Sequence, residues 1–99
     1  MARLDLHHNR GGDGYLLDIQ ADIMRGLSSR IVIPVLALDK APPPAGKLNP
    51  LVTLEGQVHS AVTQYMTAVP EKLLGDIVAS LESRATEITN AIDLLLSGI

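Results

Sequence analysis

The last segment of the chain constrains the fold most, because its apolar residues follow a helical period. From Leu81 onward they recur in steps of three and four residues, which places them on one face of an α-helix. This predicted core-facing row consists of Leu81, Ala85, Ile88, Ile92, Leu95 and Ile99. Gly98 stands where helices commonly end in a left-handed glycine. The sequence therefore predicts a C-terminal helix that packs one face against the rest of the chain.

The end of this helix carries more apolar side chains than one core face can take. Leu94 and Leu96 lie about 100° to either side of Leu95 around a helix, so the three leucines cannot all face the same core. A large apolar surface that stays exposed commonly marks a binding site for another protein. We therefore predict that part of the last turn contacts a second copy of the chain or a different protein.

The preceding residues are predicted to form about five strands in a single domain over residues 1–99. Alternation and β-branched runs indicate strands at 2–8, 15–20, 30–38 and 51–66, the last split in two by a turn at Glu55-Gly56. Turn or loop composition marks 9–14, 21–29 and the proline-rich 39–50. Residues 67–81 are ambiguous, because Val69-Pro70 requires an extended main chain and Gly75 argues against one continuous helix. Pro34 predicts an edge strand or a bulge, since proline cannot donate to a β-ladder.

Composition disfavours several classes of function. Aromatic residues are 2% of the chain and the net charge is -3, without a Lys/Arg cluster, so direct binding to nucleic acid is not expected. There is no cysteine, which fits a reducing compartment and excludes disulfides and thiol chemistry. No signal peptide or membrane-spanning run is predicted. We expect a cytoplasmic protein that does not bind membranes.

The sequence shows no pattern typical of a catalytic, metal or cofactor site. His7 and His8 are adjacent, so a strand directs them to opposite faces and they cannot chelate one metal together. Asp5 and His7 share a strand face, but no nucleophile signature accompanies them. The glycine-rich stretch 11–14 lacks the Lys-Ser/Thr of a phosphate-binding loop. We therefore predict no catalytic residue, no metal and no cofactor.

Several stretches resemble the CcdB family in their order and spacing. They are "YLLDIQADIM" (15–24), "RIVIPV" (30–35), "LNPLVTLEG" (48–56), "MTAVP" (66–70) and "EITNAIDLLLSGI" (87–99). The resemblance covers nearly the whole chain. It implies a mainly β fold, an SH3-like barrel of the plasmid-maintenance toxin type with a C-terminal helix, assembled as a homodimer.

The resemblance also implies a function and a set of partners. Such a toxin binds the A subunit of DNA gyrase and traps the enzyme on cleaved DNA, without chemistry of its own. A CcdA-like antitoxin neutralises it, and operator DNA is bound only through the toxin–antitoxin complex.

By position, the resemblance assigns a gyrase contact to the turn after the second strand and to the helix end. The matching residues are Ile23, Met24, Asp93, Leu96, Ser97, Gly98 and Ile99. The best-known family members carry a tryptophan, which stacks on a gyrase arginine, where this chain has Ser97. The family often carries asparagine where this chain has Asp93, which adds a negative charge near the terminal carboxylate. Losing an aromatic anchor costs about 2 kcal/mol or more, so Ser97 should weaken this contact with gyrase by about tenfold or more.

Two other functions stay open. One is an endoribonuclease toxin of the same barrel fold, which needs an arginine beside an acid–base pair. The other is a CcdB-like dimer that binds its antitoxin but no longer poisons gyrase.

Overall fold

The computed structural model describes residues 2–24 and 26–98, without the side chain of Ile23. Seven strands and one helix are the regular elements of this part of the chain. They are β1 (Asp5–Asn9), β2 (Tyr15–Asp18), β3 (Ser29–Ala37), β4 (Leu51–Leu54), β5 (Gln57–Ala61), β6 (Thr67–Pro70), β7 (Leu74–Ser80) and α1 (Ala85–Ser97). Single 3-10 turns join them, including Asp22–Met24, Gly46–Leu48 and Thr63–Tyr65.

The strands form one curled antiparallel sheet, a half-barrel that ends in a helix, which confirms the predicted fold class. The order is β4-β5-β3-β2-β1-β7, and β6 pairs with β3. Two tight hairpins set the register. One joins β1 to β2, with Leu6 opposite Leu17. The other joins β4 to β5 at Glu55 and Gly56, whose φ angles of 52° and 76° are those of a type I′ turn.

The predicted strand count of about five is too low, because residues 67–81 form both β6 and β7. The argument from Gly75 against one continuous helix is confirmed, because this glycine lies inside the strand β7. A Cβ at this position would lie 2.9 Å from the main-chain oxygen of His8, so glycine allows β1 to approach closely. The glycine is therefore a packing requirement of the sheet and not a break in the strand.

The interpretation of Pro34 as an edge or bulge residue is wrong, because β3 lies in the centre of the sheet. Its first half pairs with β6 and its last residues pair with β5. The Pro34 carbonyl accepts a hydrogen bond from the Val62 N–H at 2.9 Å. The N–H and C=O of one strand residue point to the same side. The missing N–H of Pro34 thus faces the junction where β3 changes partners.

The main core lies between the curled sheet and α1. It is built from aliphatic residues and one tyrosine, as the scarcity of aromatics requires: Leu4, Leu6, Tyr15, Leu17, Ile33, Val35, Val52, Ala61, Leu81 and Ile88. A second cluster, Leu16, Val32 and Leu74, covers the opposite face. All four residues of β2 are therefore buried, since each face of this strand meets one of the clusters.

The predicted helix is present, with a shorter core-facing row than expected. It begins at Ala85, after a 3-10 turn, and not at Leu81. Ile88 and Ala91 are its buried residues, Ile92 is half-buried, and Leu95 is exposed. The assignment of Leu95 to the core is wrong, because α1 packs against the turns 46–48 and 63–65 and its burial decreases beyond Ile92. Ile99 lies outside the described residues.

Candidate functional site

The last turn of α1 presents apolar surface to solvent. Leu96 is 73% exposed, the most exposed of the large hydrophobic residues described, and Leu95 is 37% exposed. Gly98 ends the helix with a φ of 73°, and its N–H donates to the carbonyl of Leu94 at 3.0 Å. This left-handed glycine closes the helix directly after the exposed leucines. The predicted excess of apolar residues at the helix end is thus confirmed as exposed surface.

Ser97 and Asp93 are linked within this turn. The Ser97 hydroxyl donates a hydrogen bond to the main-chain oxygen of Asp93 at 2.7 Å, one turn earlier. Serine often satisfies its hydroxyl on its own helix in this way. The hydroxyl is thereby directed back along α1. Position 97 therefore offers this surface a small side chain that is bonded to its own helix.

The turn Asp22–Met24 is the second predicted contact region. Met24 is 48% exposed. The turn is fixed at its start, where Asp22 Oδ1 accepts a hydrogen bond from the Arg3 N–H at 2.7 Å. It is also fixed at its end, where Gln20 Nε2 donates to the Met24 carbonyl at 3.1 Å. The side chain of Ile23, also assigned to the contact, lies outside the described structure.

The predicted contact residues thus belong to two surfaces, and each surface is held by a different part of the fold. Asp93, Leu96, Ser97 and Gly98 lie at the end of α1, beyond the part of the helix that is buried. The helix as a whole packs against the turns 46–48 and 63–65. Met24 instead lies on a turn that is bonded to the N-terminal segment and to the end of β2. Both surfaces combine exposed apolar side chains with main-chain groups. Such surfaces can bind a protein partner, but they offer few groups for catalysis.

A cluster of three aromatic rings that the sequence reasoning missed lies between β1, β2 and β5. The Tyr15 ring is 5.3 Å from that of His8 and 5.4 Å from that of His59, measured between centroids. His59 Nδ1 lies 2.9 Å from the main-chain oxygen of Gln57, so Nδ1 carries the proton and Nε2 can accept one. The three rings line a groove of about 450 Å³ together with Lys40.

The charges at this groove are paired across its rim. Lys40 Nζ lies 3.1 Å from Asp13 Oδ2, and both side chains are mostly exposed. The hydrogen bond to Asp13 and its negative charge raise the pKa of Lys40. Hairpin pairing predicts that His8 lies opposite Tyr15, but only the pairing of β3 with β5 brings His59 to them. That pairing is not visible in the sequence.

The structure directs His7 and His8 to opposite faces of β1. His7 is buried and His8 is exposed, as predicted for neighbours on a strand. His7 Nδ1 lies 3.0 Å from the main-chain oxygen of Gly75. Asp5 Oδ2 accepts a hydrogen bond from the Ala2 N–H. Within residues 2–24 and 26–98, no three His, Cys, Asp or Glu side chains are grouped to hold a metal.

The helices in this part of the chain do not have the length and hydropathy of a membrane-spanning segment.

Solved structures that superpose on this chain include one toxin and two endoribonucleases. The Mycobacterium tuberculosis toxin MazF-mt6 superposes with a TM-score of 0.74 at 18% identity, covering 90% of this chain and 92% of that one. A mycobacterial endoribonuclease in complex with its cognate antitoxin gives 0.76 at 11% identity, covering 97% and 94%. A further mycobacterial endoribonuclease gives 0.75 at 11%, covering 97% and 90%. At these identities the likeness defines the fold, which is that of the barrel toxins.

A family comparison then gives the particular assignment. The model of the family described as CcdB protein matches residues 3–98. The chain therefore belongs to the CcdB family, the toxins of toxin–antitoxin systems, as its sequence stretches predicted.

Proposed function

We propose that this chain is a toxin that inhibits DNA gyrase by binding the A subunit of the enzyme through the last turn of α1, without a catalytic step of its own. The observation that carries the proposal is the exposure of Leu96, 73%, at the end of a helix whose other face is in the core. Membership of the CcdB family supports it. Met24, on the turn 22–24, contributes a second apolar contact.

The mechanism is selective binding to one state of the gyrase–DNA complex. A protein that binds the cleaved state more tightly than the other states shifts the population toward cleavage. Ser97 weakens this contact, because an aromatic anchor on an arginine contributes about 2 kcal/mol or more to binding and each 1.4 kcal/mol is about tenfold in affinity. Leu96 and Met24 must therefore supply most of the apolar contact.

The active form is a homodimer in this proposal. The single chain exposes Leu27, Ile31 and Tyr65, at 47%, 37% and 50%, on or next to β3 and β6. Burying these side chains against a second copy removes apolar surface from water. An isologous dimer also presents each contact surface twice, related by a two-fold axis. Two linked contacts strengthen binding to a partner that is itself two-fold symmetric.

An antitoxin of the CcdA type is the second partner. The neighbour that was solved with its cognate antitoxin supports this kind of pairing for the fold. The chain itself has a net charge of -3, so it does not attract a phosphate backbone. Operator DNA is therefore bound only through the antitoxin complex.

A gyrase cleavage assay tests the proposal. The purified protein is incubated with gyrase, supercoiled plasmid and ATP, and linearised DNA is measured. Leu96→Glu places a charge in the proposed contact, and Leu51→Glu is the matched control, because Leu51 is 46% exposed on β4. We expect cleavage with the wild type and the control, and a loss of about tenfold or more in potency with Leu96→Glu and with deletion of Ile99. Absence of cleavage with the wild type would overturn the proposal.

RNA cleavage is the second candidate, and the rings of His8, Tyr15 and His59 favour it. Lys40 is the cation at this groove, where an arginine was expected for such a site. One imidazole would take the proton of a ribose 2′-hydroxyl while its oxygen attacks phosphorus. The other would protonate the leaving 5′-oxygen, which yields a 2′,3′-cyclic phosphate and a 5′-hydroxyl end. Cleavage of RNA that survives Leu96→Glu and disappears with His59→Ala would support this candidate.

Tight antitoxin binding without gyrase inhibition and without RNA cleavage would identify a dimer that has lost its toxicity.

A further inference from the structure

The turn that carries Met24 is connected to an ion pair in the interior of the sheet. Asp18 ends β2 and Arg30 lies on β3, with 0% and 1% of their surfaces exposed. Arg30 Nη2 lies 2.5 Å from Asp18 Oδ2. The other carboxylate oxygen, Oδ1, accepts a hydrogen bond from the Gln20 N–H at 3.0 Å. The buried pair therefore fixes the main chain at the point where β2 leads into the turn.

The side chain of Gln20 extends this connection to the turn. It is 9% exposed, and both ends of its amide are bonded. Its Oε1 accepts a hydrogen bond from the Ile31 N–H at 3.1 Å, and its Nε2 donates to the Met24 carbonyl at 3.1 Å. Only an amide offers an acceptor and a donor in one planar group of this size. Gln20 therefore joins β3 to the last residue of the turn.

The bond from Gln20 affects recognition because it fixes the main-chain conformation of Met24. Binding through a long side chain costs entropy, and the cost is smaller when the main chain that carries it is already fixed. Met24 has a main chain bonded at both atoms, since its N–H donates to Ala21 at 2.9 Å and its carbonyl accepts from Gln20. Its side chain is nevertheless 48% exposed. The turn thus combines a fixed main chain with an accessible apolar side chain.

We propose that Gln20 is a positioning residue for partner recognition. It transmits the rigidity of the Asp18–Arg30 pair to the main chain of Met24 and holds that residue in its binding conformation. Gln20 itself, being buried, acts through Met24. This inference rests on the proposed function, in which Met24 contacts gyrase.

Substitution of Gln20 separates its two bonds. Gln20→Glu, when its carboxyl is ionised, keeps an acceptor for the Ile31 N–H and loses the donor to the Met24 carbonyl. Burial favours the protonated carboxyl, which would donate that bond again, so the variants are compared at alkaline pH. Gln20→Met has a similar length and removes both bonds. Gln57→Glu makes the same chemical change at an exposed residue of β5 and is the matched control. The thermal midpoint of each full-length variant identifies any that fail to fold.

Two measurements follow. Affinity for gyrase is measured for Gln20→Glu, for Met24→Ala and for the double variant. The ¹³C-methyl resonances of methionine are recorded without gyrase, with Met66 as an internal reference. We expect Gln20→Glu to lose about tenfold or more in affinity and Met24→Ala to add little to that loss, because residues that act through one contact are not additive. The Met24 methyl resonance should shift and that of Met66 should not.

The outcomes distinguish this inference from the proposed function. Additive losses in the double variant, or an affinity of Gln20→Glu equal to that of Gln57→Glu, would overturn the positioning role. An unmoved Met24 resonance would do so as well. If Gln20→Glu does not fold, Gln20→Met takes its place in the same measurements. If the wild type does not bind gyrase, the proposed function and the recognition role both fail, and the Met24 resonance alone decides whether Gln20 holds the turn.

Discussion

The two proposed contact surfaces are built in opposite ways. The turn 22–24 presents one exposed methionine on a main chain that buried polar side chains hold from beneath. The last turn of α1 instead presents the exposed Leu95 and Leu96, and the bonds described for it are main-chain bonds and the bond from the Ser97 hydroxyl. The main chain of one surface is therefore fixed by buried side chains from elsewhere in the fold, whereas the described bonds of the other lie within its own helix.

The largest loss of stability is expected at the Asp18–Arg30 pair, which is bonded to the segment that leads into the turn 22–24. Asp18→Ala leaves the Arg30 guanidinium buried without its partner, and such a change costs about 3–5 kcal/mol of the free energy of unfolding. Urea denaturation followed by circular dichroism measures the loss. A loss below about 1 kcal/mol would mean that water reaches Arg30 in the variant and that the anchor is weaker than its burial suggests.

Substitutions near the two ends of α1 should differ almost as much in their effect on the free energy of unfolding. Ile88 is 3% exposed, so Ile88→Ala should cost about 2–5 kcal/mol through lost burial and a cavity. Leu96→Ala should change stability by less than about 0.5 kcal/mol, because the side chain is already in water. The same denaturation experiment compares them. Equal losses would show that the last turn is covered, in the dimer or by the chain itself.

An aromatic ring at position 97 should increase the contribution of the helix end to gyrase affinity. Ser97→Trp should raise gyrase affinity by about tenfold or more, since an aromatic anchor contributes about 2 kcal/mol. Stability should barely change, because the only described bond that is lost joins Ser97 to the exposed helix end. Titration calorimetry with gyrase measures the gain, and Ser97→Ala is the control for the hydroxyl. Equal affinities of the tryptophan and alanine variants would exclude an anchor at this position.

The smallest effect is expected for the surface counterpart of the buried ion pair. Arg84 lies 2.8 Å from Glu87 at the start of α1, and neither side chain is buried. Glu87→Gln should change the free energy of unfolding by about 0.5 kcal/mol or less. A loss comparable to that of Asp18→Ala would contradict the view that burial, not the pairing itself, makes the interior anchor strong.

Local signals in the sequence predicted the local structure well. The period of three and four located α1, the glycines predicted the turns at 9–14 and 55–56, and Gly98 ended the helix. The remaining features depend on pairing between strands that are far apart in the sequence, and this pairing could not be predicted from local patterns. Pro34 considered alone indicates an edge or a bulge, and only the pairing of β3 with both β5 and β6 explains why it lies in a central strand. Gly75 argued against a helix, and only the close approach of β1 explains why a glycine stands inside β7. Burial along α1 likewise depends on the turns beneath it.

The candidate site was predictable to a different extent in its two parts. Exposure of Leu96 followed from counting apolar residues around a helix, and Met24 was assigned by resemblance. The bonds of Gln20 were not predictable, since they require β3 to lie beside the turn after β2. The ring cluster was missed for the same reason, because His59 is far from Tyr15 in the sequence.

The change of partners at Pro34 has a consequence for how the molecule opens. The hairpin of β4 and β5 is attached to β3 by the pairing of Val35–Ala37 and by the bond from Val62 to Pro34. The turns on which α1 rests flank this hairpin. We therefore expect the hairpin and the helix to open as one subglobal unit, whose amides should exchange with solvent deuterium together and before those of β1 and β2. A partner that binds the helix end would slow exchange throughout that unit, far from the residues it touches.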